Sequence, residues 1–452
     1  MTRAYAVCAD VGSTFTKVAA VDLDTGELVG AASTPTTVGT DVLHGLDAAV
    51  ARATSRLAGR PTRTYVCSSA GGGLRLAVVG YERLVTAEAG HRVGLSAGAR
   101  VVHVAAGRLD ATGVRALRAA RPDVVLLVGG TDGGDAAVLT HNAARVAGAR
   151  PRIPVVLAGN ADVRAELSAL LAARGVPVTE ADNVLPRIGV LNAGPARAAI
   201  RGVFLRHVIG GKRLSRGPRF VSLVRAATPD AVLTGMELLA DHADGDLVAI
   251  DIGGATTDVY SMLTPDAERE SGPRREVAGT LWRSRTVEGD LGVRWGAPGV
   301  VGAAAAERLL AAEEAQPLAA AADARADEPG SVPADDAQRA VDRRLAALAA
   351  TVALRRHARG EALTSGGPRR GGRDLRDARL VIGSGGVLRH AGPRDAVGVL
   401  DAALADHAGG WPLPRDPRVV IDTDYVLAPA GLLAADHPAA AVALLRRHLC
   451  TA

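Results

Sequence analysis

Residues Asp251–Met262 read DIGGATTDVYSM: an apolar strand ending in Asp251, then Gly253 and Gly254, then hydroxyls at Thr256 and Thr257, then Asp258 and a second apolar run. Strand, tight turn and returning strand are the natural reading, because Asp and Gly dominate turns and a period-2 apolar pattern marks each arm. The same pattern occurs near the start of the chain, where YAVCADVG leads through Ser13, Thr14 and Thr16 into TFTKVAAVDL. Two copies spaced by about half the chain imply duplicated domains rather than a solenoid.

Either hairpin alone is an ordinary turn. Two of them, with a third glycine turn at Gly383-Ser384-Gly385-Gly386 after the apolar strand RLVI, point to a grip on a phosphate chain. Successive backbone N–H groups in such turns face one concavity, and glycine lets phosphate oxygens approach them closely. The hydroxyls of Ser13, Thr14, Thr16, Thr256 and Thr257 are candidate donors. Asp10 and Asp251, at the strand ends, are candidates to hold Mg2+ largely through its water shell, since that ion takes few carboxylates plus substrate phosphates. Of the 53 basic residues only Lys17 and Lys212 are lysines, and Lys17 falls in the first hairpin, where it can neutralise phosphate charge as a point cation.

The rest of the chain sets the context. With 452 residues, 48% of them hydrophobic, it can bury more than one core, and ~150 residues per domain gives two or three domains. No apolar run reaches the ~18 residues of a membrane helix and the N-terminus lacks a signal peptide's apolar stretch, so a cytoplasmic protein with no membrane partner is expected. The net charge of +5 is spread along the chain and only 2% of residues are aromatic, which argues against nucleic acid. Cys8, Cys67 and Cys450 lie far apart and form no C-x-x-C pair, which disfavours disulfides and redox clusters.

Short β-branched runs alternating with helical stretches between 86 and 186 (RVVHVAAG, DVVLLVGG, IPVVLAGN, VPVTEA) imply a doubly wound parallel α/β unit inserted into an outer domain. The expected plan is a first domain starting at 1–85, the insertion at 86–186, a helical return over 187–240, and a second domain over 241–452 with an alanine-rich helical insertion at about 303–376, in which RRGGRDLR reads as a solvated loop. Asp132 and Asp135 could orient a water molecule, but a helix cap is the better account. Glu288 is read either as approaching the phosphates or as an exposed turn acid. His44, His91, His103, His141 and His390 share no ligand spacing.

The motifs DVGSTFTK, DIGGATTDV and VIGSGGVL resemble the two phosphate hairpins and the adenosine-contacting loop of the acetate and sugar kinase, Hsp70 and actin superfamily. That resemblance implies an α/β fold of two duplicated actin-like ATPase (ribonuclease H-like) domains closing over ATP or ADP with Mg2+, with Asp10 and Asp251 as the catalytic acids. It adds Gly12, Gly253, Gly254 and Asp258 to the nucleotide contacts. The segments LLVGGTDGGD, DNVLPRIGVLNAGPARAAIRGVFL, RTVEGDLGVRWGA and DTDYVLAPAGLL are similar to the glutamate mutase accessory proteins of the MutL type. This second resemblance implies an ATP-dependent reactivating chaperone of a cobalamin-dependent aminomutase, and self-association as a homodimer stays open. The chain has no D-x-H-x-x-G stretch, so direct cobalamin binding is not expected. A small-molecule kinase and a nucleotide-dependent scaffold are the alternatives, while activators of 2-hydroxyacyl-CoA dehydratases are disfavoured because they need cluster cysteines.

Overall fold

The computed structural model describes residues 4–70, 74–81, 86–96, 99–149, 153–209, 214–264, 282–362, 369–370 and 372–450. The glycine run at 71–73 and Lys212 lie outside them. Within those residues the chain divides into two compact units, one assembled from Met1–Ala70, Leu214–Thr264 and Arg285–Ala452, the other from Gly71–Arg213 with Pro265–Ser284.

The first unit opens with the expected meander, β1 (Tyr5–Val11), β2 (Phe15–Asp22) and β3 (Leu28–Pro35). All of β1 is buried, as befits a central strand covered on both faces. The helix Val42–Thr54, capped by the Asp41 carboxylate on the N–H of Leu43, leads into β4 (Arg63–Ser68). The second unit then carries β5 (Arg75–Gly80), β6 (Arg100–Ala106), β7 (Val124–Leu127), β8 (Val155–Leu157) and β9 (Val178–Glu180) in the order β6-β5-β7-β8-β9, every pair parallel. This is the doubly wound sheet expected, with one correction. One of its interior strands, β5, lies ahead of residue 86; RLAVVG follows a glycine run and lacks a preceding helix, so the alternation of strand and helix did not reveal it.

A second correction concerns 187–240, which is not purely helical. Between the helices Arg219–Leu223 and Thr228–Ala240 lies β10 (Val224–Ala227), pairing in parallel with β4 and completing the sheet β10-β4-β1-β2-β3. The second half repeats it with β11 (Asp246–Ile252), β12 (Thr257–Met262), β13 (Arg283–Glu288), β16 (Ala378–Ser384) and β17 (Arg418–Ile421) in the order β13-β12-β11-β16-β17, while β14 (Glu361–Ala362) and β15 (Arg369–Arg370) form a small hairpin apart. In both sheets an antiparallel hairpin begins the fold, and the strands on the far side of its first arm run parallel to it. Two sheets of one topology make the first unit a duplicated actin-like, ribonuclease H-like fold.

Between the two sheets lie the helices Thr228–Ala240 and Leu427–Leu433. They cross at backbone contact: a Cβ on Gly235 would lie 2.2 Å from the Leu427 carbonyl oxygen, and one on Gly431 only 1.8 Å from that of Ala231. Only glycine fits at either place. The alanine-rich stretch forms the helices Ala297–Ala306, Ala312–Asp327 and Asp336–Arg359. The last of these is buried on most sides, and its His357 sits between Ser261 Oγ (2.9 Å) and Thr286 Oγ1 (3.0 Å). RRGGRDLR is not simply solvated, because Arg373 and Leu375 are buried and the Arg373 N–H bonds the carbonyls of His357 and Ala358. Among the described residues no helix is long and apolar enough to cross a membrane.

Replacing Gly431 by Ala forces a methyl group into a carbonyl, and we expect the urea unfolding midpoint to fall by the equivalent of about 3 kcal/mol. Gly398, in the helix Pro393–Leu404, has open space around its Cβ position, so Gly398→Ala is expected to be neutral or to stabilise by up to about 1 kcal/mol.

Candidate functional site

The two hairpins match down to single bonds. In the first, the Gly12 N–H donates to the Phe15 carbonyl at 3.1 Å; in the second, Gly253 donates to Thr256 at 2.9 Å. A Cβ on either glycine would come 2.8 Å from the carbonyl oxygen its own N–H bonds, which explains why both are glycine. Asp10 stands opposite Lys17 across the β1–β2 ladder, and Asp251 opposite Asp258 across β11–β12. Where the first hairpin carries its cation on the facing strand, the second carries another acid. Its cation arrives from β13, as Arg285 Nη2 lies 2.9 Å from Asp258 Oδ1 with both side chains buried.

The turns face each other. A Cβ on Gly254 would lie 3.2 Å from Thr14 Oγ1, and that hydroxyl is buried with no hydrogen-bond partner among the described residues. The third loop closes on the same place. Ser384 pairs with Asp251 in the β11–β16 register and its hydroxyl bonds the Asp251 carboxylate, while Gly385, at φ 112°, packs so tightly that a Cβ would meet the Ile252 carbonyl at 2.1 Å. Gly383 is the penultimate residue of β16, which Ser384 ends, and Gly386 begins the helix Gly386–His390. Ser13 lies partly exposed on the first turn.

Other candidates take different places. Thr16 and Thr257 are fully buried, one bonding Thr36 Oγ1 at 3.0 Å and the other the Leu291 carbonyl at 2.6 Å, so they brace neighbouring loops instead of facing the turns. Strand alternation puts them on the face opposite Lys17 and Asp258. Thr256 Oγ1 reaches Asp258 Oδ2 at 3.4 Å. Glu288 is neither free for phosphate nor an exposed turn acid: it is buried and held by Arg356 Nη1 at 2.7 Å. In the second unit, Asp135 caps the helix start at the Ala137 N–H, whereas Asp132 ties the Ala161 N–H to the Asn183 amide.

Asp10 is the most heavily engaged acid. Thr228 Oγ1 donates to its Oδ1, which Cys67 Sγ also approaches at 3.6 Å; Tyr425 OH donates to its Oδ2 at 2.9 Å, and Lys17 Nζ stands 3.8 Å from the same oxygen. Lys17 also rests 3.6 Å from the centroid of the Tyr425 ring. Burial pushes the Asp251 carboxyl above the usual carboxylate range; Lys17 and Ser384 oppose that push and Asp10 adds to it. Burial likewise raises Asp258, with Arg285 opposing. The Cys67 thiol is raised by burial and then by Asp10, which favours its protonated form. A cavity of about 170 Å³ opens beside Asp10 and Lys17, with Arg389, Tyr425 and Pro429 on its wall.

The donor set is carboxylate and hydroxyl oxygen, which suits a hard cation such as Mg2+. Among the described residues no three His, Cys, Asp or Glu side chains converge to hold a metal by themselves, so a cation here would complete its shell with water and phosphate oxygens. Thr228, Tyr425 and Asp422 escaped the motif reading. Thr228-Pro-Asp has the look of a helix start, but nothing local links it, or Tyr425, to Asp10.

Comparison with known proteins adds the following. Residues 6–449 match the profile of the family described as MutL protein. A relative named Protein MutL, from Clostridium tetanomorphum, is 34% identical over 457 residues, covering 97% of this chain and 98% of its own. Acetone carboxylase in its nucleotide-free structure aligns over 96% of this chain and 71% of its own at 14% identity and a TM-score of 0.42. A ROK family glucokinase from Streptomyces griseus, solved with glucose and AMPPNP, aligns over 98% and 99% at 13% identity and a TM-score of 0.34. The likeness to these two structures concerns the fold alone.

Asp422 generates a pH prediction. Its buried carboxyl accepts the Val426 and Leu427 N–H groups at the start of the helix Leu427–Leu433, and burial pushes its pKa up from 3.8 to about 6, with Asp251 adding to the rise. Between these values the folded state holds a proton that the unfolded chain has released, so stability falls as pH rises through the window. Asp422→Asn, which mimics the protonated form, should flatten that slope by on the order of 2 kcal/mol in denaturant titrations at pH 4 and pH 7.

Proposed function

Because this chain belongs to the MutL protein family, which shares only its name with mismatch repair, we propose that it is an ATP-dependent accessory protein that reactivates a coenzyme B12-dependent aminomutase of the glutamate mutase type. The observation that carries the nucleotide reading is the pair of register-matched hairpin turns meeting at Thr14 and Gly254, with the orphaned Thr14 hydroxyl between them and the Gly385 loop closing the third side.

In this reading the turn N–H groups and Thr14 hold the β- and γ-phosphates. Lys17, already beside Asp10, answers their charge. Asp10, Asp251 and Ser384 present the oxygens toward which Mg2+ would bind, and the ion would supply neutralisation of charge on the phosphates. Asp10 and Asp251 also orient the attacking water. Loss of the γ-phosphate removes what the two turns hold in common, and the two halves of the first unit shift. Such a cycle would open the partner mutase so that damaged cobalamin leaves and intact coenzyme enters, with the inserted α/β unit as the docking surface. A small-molecule kinase is the second reading, for which the cavity beside Asp10 and Lys17 offers a space for an acceptor.

Asp251→Asn is expected to lower Mg2+-dependent ATP turnover by ~100-fold or more while leaving the melting temperature within a few degrees, since a change of like size at a half-buried strand end does not open the core. Unchanged turnover would contradict the assignment. Co-purification with aminomutase subunits, followed by ATP-dependent recovery of inactivated mutase, tests the accessory role; ATP turnover that rises only with a small acceptor favours the kinase.

A further inference from the structure

Tyr425 combines three features that packing alone does not require. It is a non-glycine residue at φ 56°, a left-handed conformation that persists only where its surroundings impose it. Its hydroxyl reaches across from the closing segment of the second repeat to Asp10 Oδ2 in the first, at 2.9 Å. Its ring carries the Lys17 ammonium at 3.6 Å and has the Arg389 guanidinium 5.3 Å from its centroid.

The result is an Asp10 carboxylate with a donor on each oxygen, Thr228 on Oδ1 and Tyr425 on Oδ2. Neither donor comes from Asp10's own hairpin. Thr228 opens the helix Thr228–Ala240 and Tyr425 just precedes the helix Leu427–Leu433, so the two helices that cross between the sheets fix the plane of the carboxylate. The lysine is fixed by the same tyrosine, which leaves acid and cation of the first hairpin answering to one side chain of the second repeat.

We propose that Tyr425 is a positioning residue for Asp10 and Lys17, orienting the carboxylate for the cation that accompanies the nucleotide and tying the first hairpin's occupancy to the second repeat. This rests on the nucleotide reading above. Groups that orient a metal-facing ligand change affinity or activity by about 10- to 100-fold when removed. Tyr425→Phe keeps the ring under Lys17 and deletes only the donor.

The experiment is calorimetric Mg2+ATP binding and steady-state ATP turnover by the full chain as a function of Mg2+, for wild type, Tyr425→Phe, Thr228→Val and the double variant, with melting temperatures measured alongside. Tyr425→Phe should raise the half-saturating Mg2+ or lower kcat by about tenfold, with the KM for ATP changed no more than about twofold. Thr228→Val should act in the same direction, and the double variant should lose less than the product of the two, because both donors serve one carboxylate. A Tyr425→Phe profile matching wild type overturns the positioning role alone, as does a loss that simply follows a fall in melting temperature. Wild type that neither binds nor turns over Mg2+ATP overturns the nucleotide reading and this role with it.

Discussion

The structure depends on one steric constraint, the crossing of two helices at Gly235 and Gly431. With carbonyl oxygens where side chains would begin, the helices Thr228–Ala240 and Leu427–Leu433 lie closer than any other residue pair would allow. That closeness lets one thin layer serve both sheets at once: the core between them takes Ala6, Cys8 and Ala19 from the first and Leu247, Ala249 and Ile382 from the second, around Leu233, Met236 and Leu432. It also decides where the chemistry sits. Thr228 begins one helix and Asp422 caps the other, so the helix starts converge under the ends of β1 and β11. A bulkier crossing would part these termini and leave Asp10 without its donors.

Duplication built the site, and divergence at one position gave it polarity. The repeats share the strand-end acid and the glycine whose N–H closes the turn, yet the residue facing the acid is Lys17 in one and Asp258 in the other. A second lysine there would have concentrated positive charge on both sides of the Thr14 and Gly254 junction, repelling any cation brought with an anion. An acid paired with Arg285 leaves the second turn less positive than the first, which keeps its ammonium beside Asp10. The two halves have the same backbone and opposite electrostatic duties.

The hairpins, the glycine turn of the third loop and the parallel character of the inserted sheet were legible in the sequence because each is written in consecutive residues: an alternating run, a turn dipeptide, a β-branched stretch. What was not legible depends on distance along the chain. β5 is read with the first domain because its partners β6 and β7 come later, and β10 is four residues whose only claim to be a strand is β4. Thr16 and Thr257 look like phosphate donors in a motif, since a motif shows residue type without showing face; the ladder register turns them inward. Glu288 likewise has its role set by Arg356 on a distant helix.

Tyr425 is the extreme case, since its role is defined entirely by a residue at the other end of the chain. The same separation gives it consequence. A group that held Asp10 from within the first hairpin would move with that hairpin and report nothing; one anchored in the second repeat would have to follow the carboxylate or release it in the shift proposed above. Burial sharpens that choice. Asp251 already sits above the ordinary carboxylate range because burial disfavours its charge, with Lys17 the leading opposing influence and Asp10 adding to the rise. In the nucleotide reading, drawing Lys17 toward an incoming phosphate would weaken that support for Asp251, and a cation arriving with the phosphate would restore it. In the nucleotide reading proposed above, anion and cation would therefore each be better accommodated with the other present, because buried Asp10 and half-buried Asp251 lie within the influence of one lysine.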